Sequence, residues 1–340
     1  MRFERVDHAL REACGTAFTG AVARIEHRGR PIFERAYGIS RLDPPVQAVF
    51  ADTRFDLASL TKLFVATVAL DLVARRALVL DESLAGIVPE WNQTARSSIT
   101  LRMLLAHNSG MNSGADYRAI LGRDVERYSL DRALVASPAE RVVYSDLGFI
   151  ALGVILERVA KRSLTTSVRA LFESATLGFR PRACERVTIP ATEDDGWRGR
   201  VQGLVHDEKA YLMGGIAGHA GLFGTAADVA ALTELYLSAR CGRERALLPP
   251  ELAREAVREQ AGDTILRRGL GWALKTSDEN SCGRWMDTSS FGHTGFVGTS
   301  VWADPVRDVQ GVLLTNSVYF GRNDIRDLRA AFYEAMVEEL

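Results

Sequence analysis

The chain has 340 residues, 47% hydrophobic and 25% charged, with a formal net charge of -1. That is the balance of a globular protein long enough for a sizeable core. It offers no basic surface for nucleic acid or a membrane face, and Cys14, Cys184, Cys241 and Cys282 match no metal or redox spacing.

The first residues, M-R-F-E-R-V-D-H-A-L-R-E-A, lack the apolar run of a signal peptide, so the expected location is cytoplasmic. Residues 4–14 read as a short amphipathic helix. A-V-A-R-I-E (21–26), a turn at 27–30 and I-F-E-R-A-Y (32–37) read as a hairpin. Residues 39–52, with Pro44 and Pro45, read as loop.

Residues 52–75 organise the chain. From Leu60 the sequence is apolar nearly all round, which predicts a buried helix, although Asp71, Arg75 and Arg76 leave it too short for a membrane span. Ser59 and Lys62 share a face of it, three residues apart. Only four of the 42 basic residues are lysine. A lysine set among Leu60, Leu63, Phe64 and Val65 is costly unless it is paired or loses its proton. A serine needs a neighbour that takes its proton, and a helix start favours developing negative charge.

From 77 to 180 the pattern is helix and loop. Thr100 is expected to cap L-R-M-L-L-A-H, and Ser129 to open L-D-R-A-L-V-A up to Pro138. Ser145 or Asp146 caps an apolar helix over 147–159, and Ser163 opens another that ends near Gly178. Residues 192–221 are expected to form a long, partly ordered loop. Helices follow over 226–239 and after Pro250. Strands then fall at 269–274, 291–294, 299–304 and 309–315, with a turn at 304–308 and a final helix over 324–339. Strands at both ends with helices between predict one antiparallel sheet built from both termini, with a helical lobe inserted.

Two further groups carry chemistry. Tyr144 precedes the 147–159 helix and can relay protons beside Lys62, while Asp146 can bind Lys62 or a substrate. His293, Thr294 and Gly295 lie on a strand that bends at the glycine, bringing the Phe296 N–H to the edge of a cleft.

S-L-T-K (59–62), Y-S-D (144–146) and H-T-G (293–295) together resemble the three motifs of the serine β-lactamase and penicillin-binding protein superfamily. The nearest type is the class C branch with its related D,D-peptidases and esterases. F-D-L-A-S-L-T-K, S-I-T-L-R-M-L-L-A-H-N-S-G, V-V-Y-S-D-L-G-F-I-A-L-G and F-G-H-T-G-F-V-G-T-S extend the likeness over roughly residues 18–335. It implies an α+β fold: an antiparallel sheet flanked by N- and C-terminal helices (residues 1–57 and 190–340) and a helical lobe (58–189), with the active site between them.

The resemblance also implies roles. Ser59 is the acylated nucleophile, Lys62 and Tyr144 the proton-transfer pair, and the Ser59 and Phe296 N–H groups the oxyanion hole. Asp146, His293, Thr294 and Gly295 line the cleft, and Asn316 approaches the substrate. His206 and His219 fall in V-H-D-E-K-A and G-H-A-G-L-F-G-T, a stretch like that of peptidase-type members, where they read as loop-ordering residues. Asp146 stands where asparagine is commoner, and can hold Lys62 charged. His293 stands where lysine is commoner, giving a weaker, pH-dependent positive charge. Both point away from fast β-lactam turnover. The expected activity is acyl-enzyme hydrolysis of small esters, D-amino-acid peptides or amides, with β-lactams slow. The alternative is a weakly catalytic homologue that binds penicillin or muropeptides. Without H-E-x-x-H or a Cys/His cluster no metal or other cofactor is expected, and without G-x-S-x-G the α/β-hydrolase reading is disfavoured.

Overall fold

A computed structural model describes residues 3–114, 116–243, 247–262 and 267–340. Helix α1 (Glu4–Ala13) leads into the hairpin of β1 (Gly20–His27) and β2 (Arg30–Gly38), as the alternation predicts. Strand β3 (Phe55–Asp56) passes through a single 3-10 turn (Ala58–Leu60) into α2 (Thr61–Ala74). Helices α3 (Leu101–Leu105), α4 (Val125–Asp131), α5 (Asp146–Ala160) and α6 (Leu164–Phe172) follow. Then come β4 (Gly178–Phe179), β5 (Glu193–Asp195), β6 (Gly199–Val201), α7 (Glu208–Leu212) and β7 (Leu222–Gly224). Helices α8 (Ala226–Arg240) and α9 (Pro250–Ala256) precede β8 (Ala261–Gly262), β9 (Arg267–Arg268) and β10 (Ala273–Leu274). The chain closes with β11 (Phe291–Thr294), β12 (Ser300–Asp304), β13 (Val309–Thr315) and α10 (Arg326–Glu338).

The main sheet is antiparallel, in the order β2-β1-β13-β12-β11-β10-β9-β8. The two termini meet at its centre, where β1 pairs with β13 from Ala21 opposite Thr315 to His27 opposite Val309. Alternate residues face opposite ways along a strand, and both faces are covered. Val22, Val301, Val312 and Leu314 join the core that holds α2, α5 and α8. Ala23, Ile25, Trp302 and Leu313 pack with α1 and α10 through Leu10, Phe332 and Met336. Every residue of α2 from Thr61 to Leu72 is buried. Each of its large apolar side chains contributes about 1.5–3 kcal/mol, which makes this helix a rigid base for what sits at its start.

Four expectations shift. Helix α4 covers Val125–Asp131 rather than running from Ser129 to Pro138: Asp124 caps it through the Arg127 N–H, Ser129 instead donates to the Glu126 carbonyl, and the chain turns extended at Arg132. Helix α6 stops at Phe172, where Glu173 takes a left-handed φ of 46°. The stretch 269–274 is no continuous strand: Gly269 N–H donates to the Trp272 carbonyl across a turn in which Gly271 has φ 85°. That turn folds β10 back onto β9. Residues 192–221 are more ordered than expected. The Arg198 side chain, fully buried, ion-pairs with Asp195 at 2.6 Å and donates to the His206 carbonyl at 2.8 Å, tying the β5–β6 hairpin to the loop beyond it.

Candidate active site

The turn before α2 is clamped from three sides. Leu57 N–H donates to the Leu222 carbonyl of β7. Asp56, itself buried, accepts from the Ala58 N–H at 2.8 Å and from the His206 N–H at 2.7 Å. Thr299 Oγ1, beyond β11, donates to the Leu57 carbonyl. Ala58 is held at φ 46°, a left-handed conformation that a non-glycine residue adopts only where the surroundings impose it. This clamp sets Ser59 at the head of α2. Burial pushes the Asp56 carboxyl up to about 6, against the pull of its two N–H donors.

Lys62 is fully buried one turn along. Its ammonium donates to Ser59 Oγ at 3.0 Å and to the His219 carbonyl at 3.2 Å, and pairs with Asp146 Oδ1 at 2.9 Å. Burial alone favours the neutral amine. Interaction with Asp146 first, and then with the Tyr144 side chain, outweighs it and holds Lys62 above the ordinary lysine range. Lys62 is therefore a cation in the resting protein. Asp146 is held below the usual carboxylate range, with burial opposed by Lys62, His219 and Lys209. Its second oxygen meets Lys209 at 3.3 Å, which also reaches Asp207 at 3.6 Å, and Asp207 is 2.7 Å from His219 Nε2. Asp146, Asp207 and His219 bring their ligand atoms within 4.8 Å of one another. Two lysine ammonium groups already face the two carboxylates, so the cluster is an ion-pair network.

Tyr144 comes from the chain entering α5. Ser145 is the cap, accepting from the Gly148 N–H at 2.8 Å, and Asp146 is the first helical residue. His107 fixes this entry: its Nδ1 accepts the Ser145 N–H at 3.1 Å and its ring lies 4.6 Å from the Tyr144 ring. Lys62 Nζ sits 4.9 Å from the centre of the Tyr144 ring, and the Arg268 guanidinium 5.3 Å from it.

The opposite wall is β11 and the turn after it. A cleft of about 570 Å³ is lined by Ser59, Tyr144, Arg268, His293, Thr294 and Phe296, among others. Gly295 N–H donates to the Thr299 carbonyl and Gly298 N–H to the Gly295 carbonyl. That leaves Phe296, 57% exposed, at the mouth. His293 departs from expectation. It is buried, its Nδ1 is 2.8 Å from the Thr294 carbonyl, and burial, with Arg268 and Lys62 nearby, pulls it down to about 3. It is neutral across the physiological range, so the pH-dependent positive charge expected of it is absent. Among the described residues its Nε2 is buried without a partner.

Asn316 does not join the cleft. Its Oδ1 accepts from the Thr19 and Gly20 N–H groups, and its Nδ2 donates to Thr19 Oγ1 and the Ala191 carbonyl. All its hydrogen-bonding capacity is spent joining β1 to the end of β13, because the strand has already left the cleft at that point. His206 and His219 order their loop through Asp56 and Asp207. Asp56, His107, Lys209 and Arg268 are near the chemistry but escape the motif-based reading. Lysine scarcity, the signal that marked Lys62, marks Lys209 equally well.

An antiparallel sheet covered on both faces, with S-x-x-K at the head of a buried helix and H-T-G on the facing strand, is the β-lactamase/transpeptidase fold. The chain belongs to the Beta-lactamase family, whose model matches residues 6–335. It is 26% identical to a "Putative D-alanyl-D-alanine carboxypeptidase" of Escherichia coli (strain K12), covering 93% of this chain and 82% of that one. It is 29% identical to "Esterase EstB" of Burkholderia gladioli, covering 93% and 89%. Among solved structures it resembles "EstCE1, a hydrolase with promiscuous acyltransferase activity", with TM-score 0.80 at 21% identity and 98% of each chain covered. No helix among the described residues is long and apolar enough to cross a membrane.

Proposed function

We propose that the protein is a serine hydrolase that cleaves ester or amide bonds through an acyl-enzyme on Ser59. The observation that carries this reading is Ser59 Oγ lying 3.0 Å from the buried Lys62 ammonium at the edge of an open cleft. The cleft divides a sheet lobe (1–57 and 190–340) from a helical lobe (58–189).

Lys62 is already protonated, so it is not the resting base. Tyr144, acting as a phenolate stabilised by the Lys62 charge, takes the hydroxyl proton as Ser59 Oγ bonds to the substrate carbonyl carbon. The Ser59 and Phe296 N–H groups receive the oxyanion. The tetrahedral adduct collapses and the leaving group departs with the proton from Tyr144. Water then attacks the acyl carbon, giving its proton up by the same route, and the acid is released with Ser59 restored. Asp146 keeps Lys62 charged, while Thr294 and the neutral His293 position the substrate.

The names of the relatives, carboxypeptidase and esterase, agree with a range of small esters and D-amino-acid peptides or amides. β-Lactams should react slowly, since neither His293 nor Asp146 offers a cation to their carboxylate. Rates on a p-nitrophenyl ester, a D-Ala-D-Ala peptide and a chromogenic cephalosporin, for wild type and Ser59→Ala, test the reading. Equal rates in both proteins would remove Ser59 from the mechanism.

A further inference from the structure

Arg329 lies on α10 with 9% of its surface exposed. Phe332, Tyr333 and Met336 bury this helix against the sheet, and the Tyr333 hydroxyl donates to Ser300 Oγ at 3.0 Å, so the root of the arginine is fixed. Among the described residues its guanidinium forms no ion pair, Asp324 acting on it only from a distance, and its Nε is buried without an acceptor. Its Nη2 donates instead to two carbonyls of the turn after β11, that of Gly295 at 2.8 Å and that of Thr299 at 3.2 Å. Neither carbonyl needs it. The Gly295 carbonyl already accepts the Gly298 N–H, and the Thr299 carbonyl the Gly295 N–H. A buried, unpaired cation is costly, and satisfying the hydrogen bonds of the turn does not account for it.

The guanidinium acts on one particular peptide unit. A peptide is planar, with its C=O and N–H on opposite edges, so the Gly295 carbonyl and the Phe296 N–H are two ends of one rigid plane. A cation hydrogen-bonded to the carbonyl sets the direction of the N–H, and by drawing electrons from the amide makes it a stronger donor. Among the described residues the Phe296 N–H has no acceptor of its own. We infer that Arg329 is a positioning residue whose charge aims and strengthens the Phe296 N–H as an oxyanion donor. The use of that N–H rests on the hydrolase reading, whereas the bond from Arg329 to its peptide does not.

Two substrates separate this role from one in folding: phenyl acetate, and O-phenyl thionoacetate, which has C=S in place of C=O. Sulfur accepts hydrogen bonds poorly, so a working oxyanion site favours the oxygen ester. Arg329→Met and Arg329→Gln should lower kcat for phenyl acetate at least about tenfold and leave KM within about threefold. They should also lower the ratio of the two kcat/KM values, oxygen ester over thionoester, at least about fivefold, the methionine variant more. A role confined to docking α10 would reduce the amount of active enzyme, slow both substrates alike and leave the ratio intact. A smaller change of the ratio in both variants overturns the proposal. If one variant fails to fold, the other carries the same comparison, and a smaller change there overturns it.

A second arm needs no turnover. Nuclear magnetic resonance of isotopically labelled protein reads the bond directly, because an amide nitrogen moves upfield when the carbonyl of its own peptide loses a hydrogen bond. Arg329→Met should move the Phe296 amide nitrogen upfield, and by more than that of Val297. That shift, in a protein whose wild type and Ser59→Ala hydrolyse phenyl acetate equally, would keep the hold of Arg329 on the peptide and refute the hydrolase reading. An unmoved Phe296 resonance would refute the hold even where Ser59-dependent hydrolysis is fast.

Discussion

Lys62 Nζ and Asp146 Oδ1 stand 2.9 Å apart, the ammonium fully buried and the carboxylate shared with Lys209. The pair fixes the protonation of the residue beside the nucleophile, and so decides which group can be the base. Removing one member leaves the other charge buried. Asp146→Asn should lose about 3 kcal/mol at neutral pH. The raised Lys62 pKa contributes stability that is present below the unfolded lysine value and lost as pH rises through the folded one. Without Asp146, burial dominates and depresses Lys62 instead, so the ammonium form becomes the costly one. The loss should therefore be larger at pH 6 than at pH 9, as urea unfolding at the two values would report. An equal loss at both would mean that Asp146 does not control Lys62.

Tyr144→Phe keeps the ring against His107, Lys62 and Arg268 and removes only the hydroxyl. It should fold normally and lose about 10²–10⁴ in kcat. Single-turnover acylation with a chromogenic ester checks this. A loss below tenfold would return the base role to Lys62.

Asp56 gives a pH signature of its own. Its folded-state value of about 6 lies above the ordinary 3.8. Ionised Asp56 is therefore the costly form, with the burden fully present above about pH 6 and relieved as pH falls toward 4. Asparagine does not titrate. Between pH 7.5 and pH 5 the stability of wild type relative to Asp56→Asn should shift toward wild type by about 1 kcal/mol. Chemical unfolding of both proteins at the two pH values measures it, and a shift the other way would mean that the N–H donors of Ala58 and His206 outweigh burial.

Gly295 joins the nucleophile turn to the β11 wall. A Cβ there would overlap Thr299 Oγ1 and lie 2.9 Å from the Leu57 carbonyl and 3.2 Å from the Ala58 side chain. Gly295→Ala should push the Phe296 N–H away from Ser59 and cost about 10²–10³ in kcat, the size of losing one oxyanion donor. Steady-state rates beside a melting curve separate this from global unfolding.

The parts legible in the sequence were those carried by local chemistry. The buried α2 helix, the hairpin of β1 and β2, the strand run 299–315 and the Ser145 cap all follow from periodicity and capping. The pairing of β1 with β13 follows from strands left at both ends of the chain. The ends of α4 and α6 were misplaced, because Asp124 outcompeted Ser129 as a cap and Glu173 took a left-handed turn that its type does not announce. In the site, Ser59, Lys62 and Tyr144 are brought together as their motifs suggest. The neutrality of His293 was not legible, since it arises from burial and from Arg268, 25 residues away in sequence. Asn316 read as a cleft residue by its place after β13, but only the fold shows its amide turned to Thr19 and Ala191. The pairing of Asp146 with Lys209 likewise needs the loop before α7 folded over α5.

The most direct test of the central claim is intact-mass spectrometry after brief exposure to an activated ester, with peptide mapping of any adduct. Wild type should gain the mass of one acyl group on the peptide containing Ser59, shed it on standing as water completes the cycle, and Ser59→Ala should gain none. An acyl group on another residue, or the same adduct in Ser59→Ala, would contradict the account.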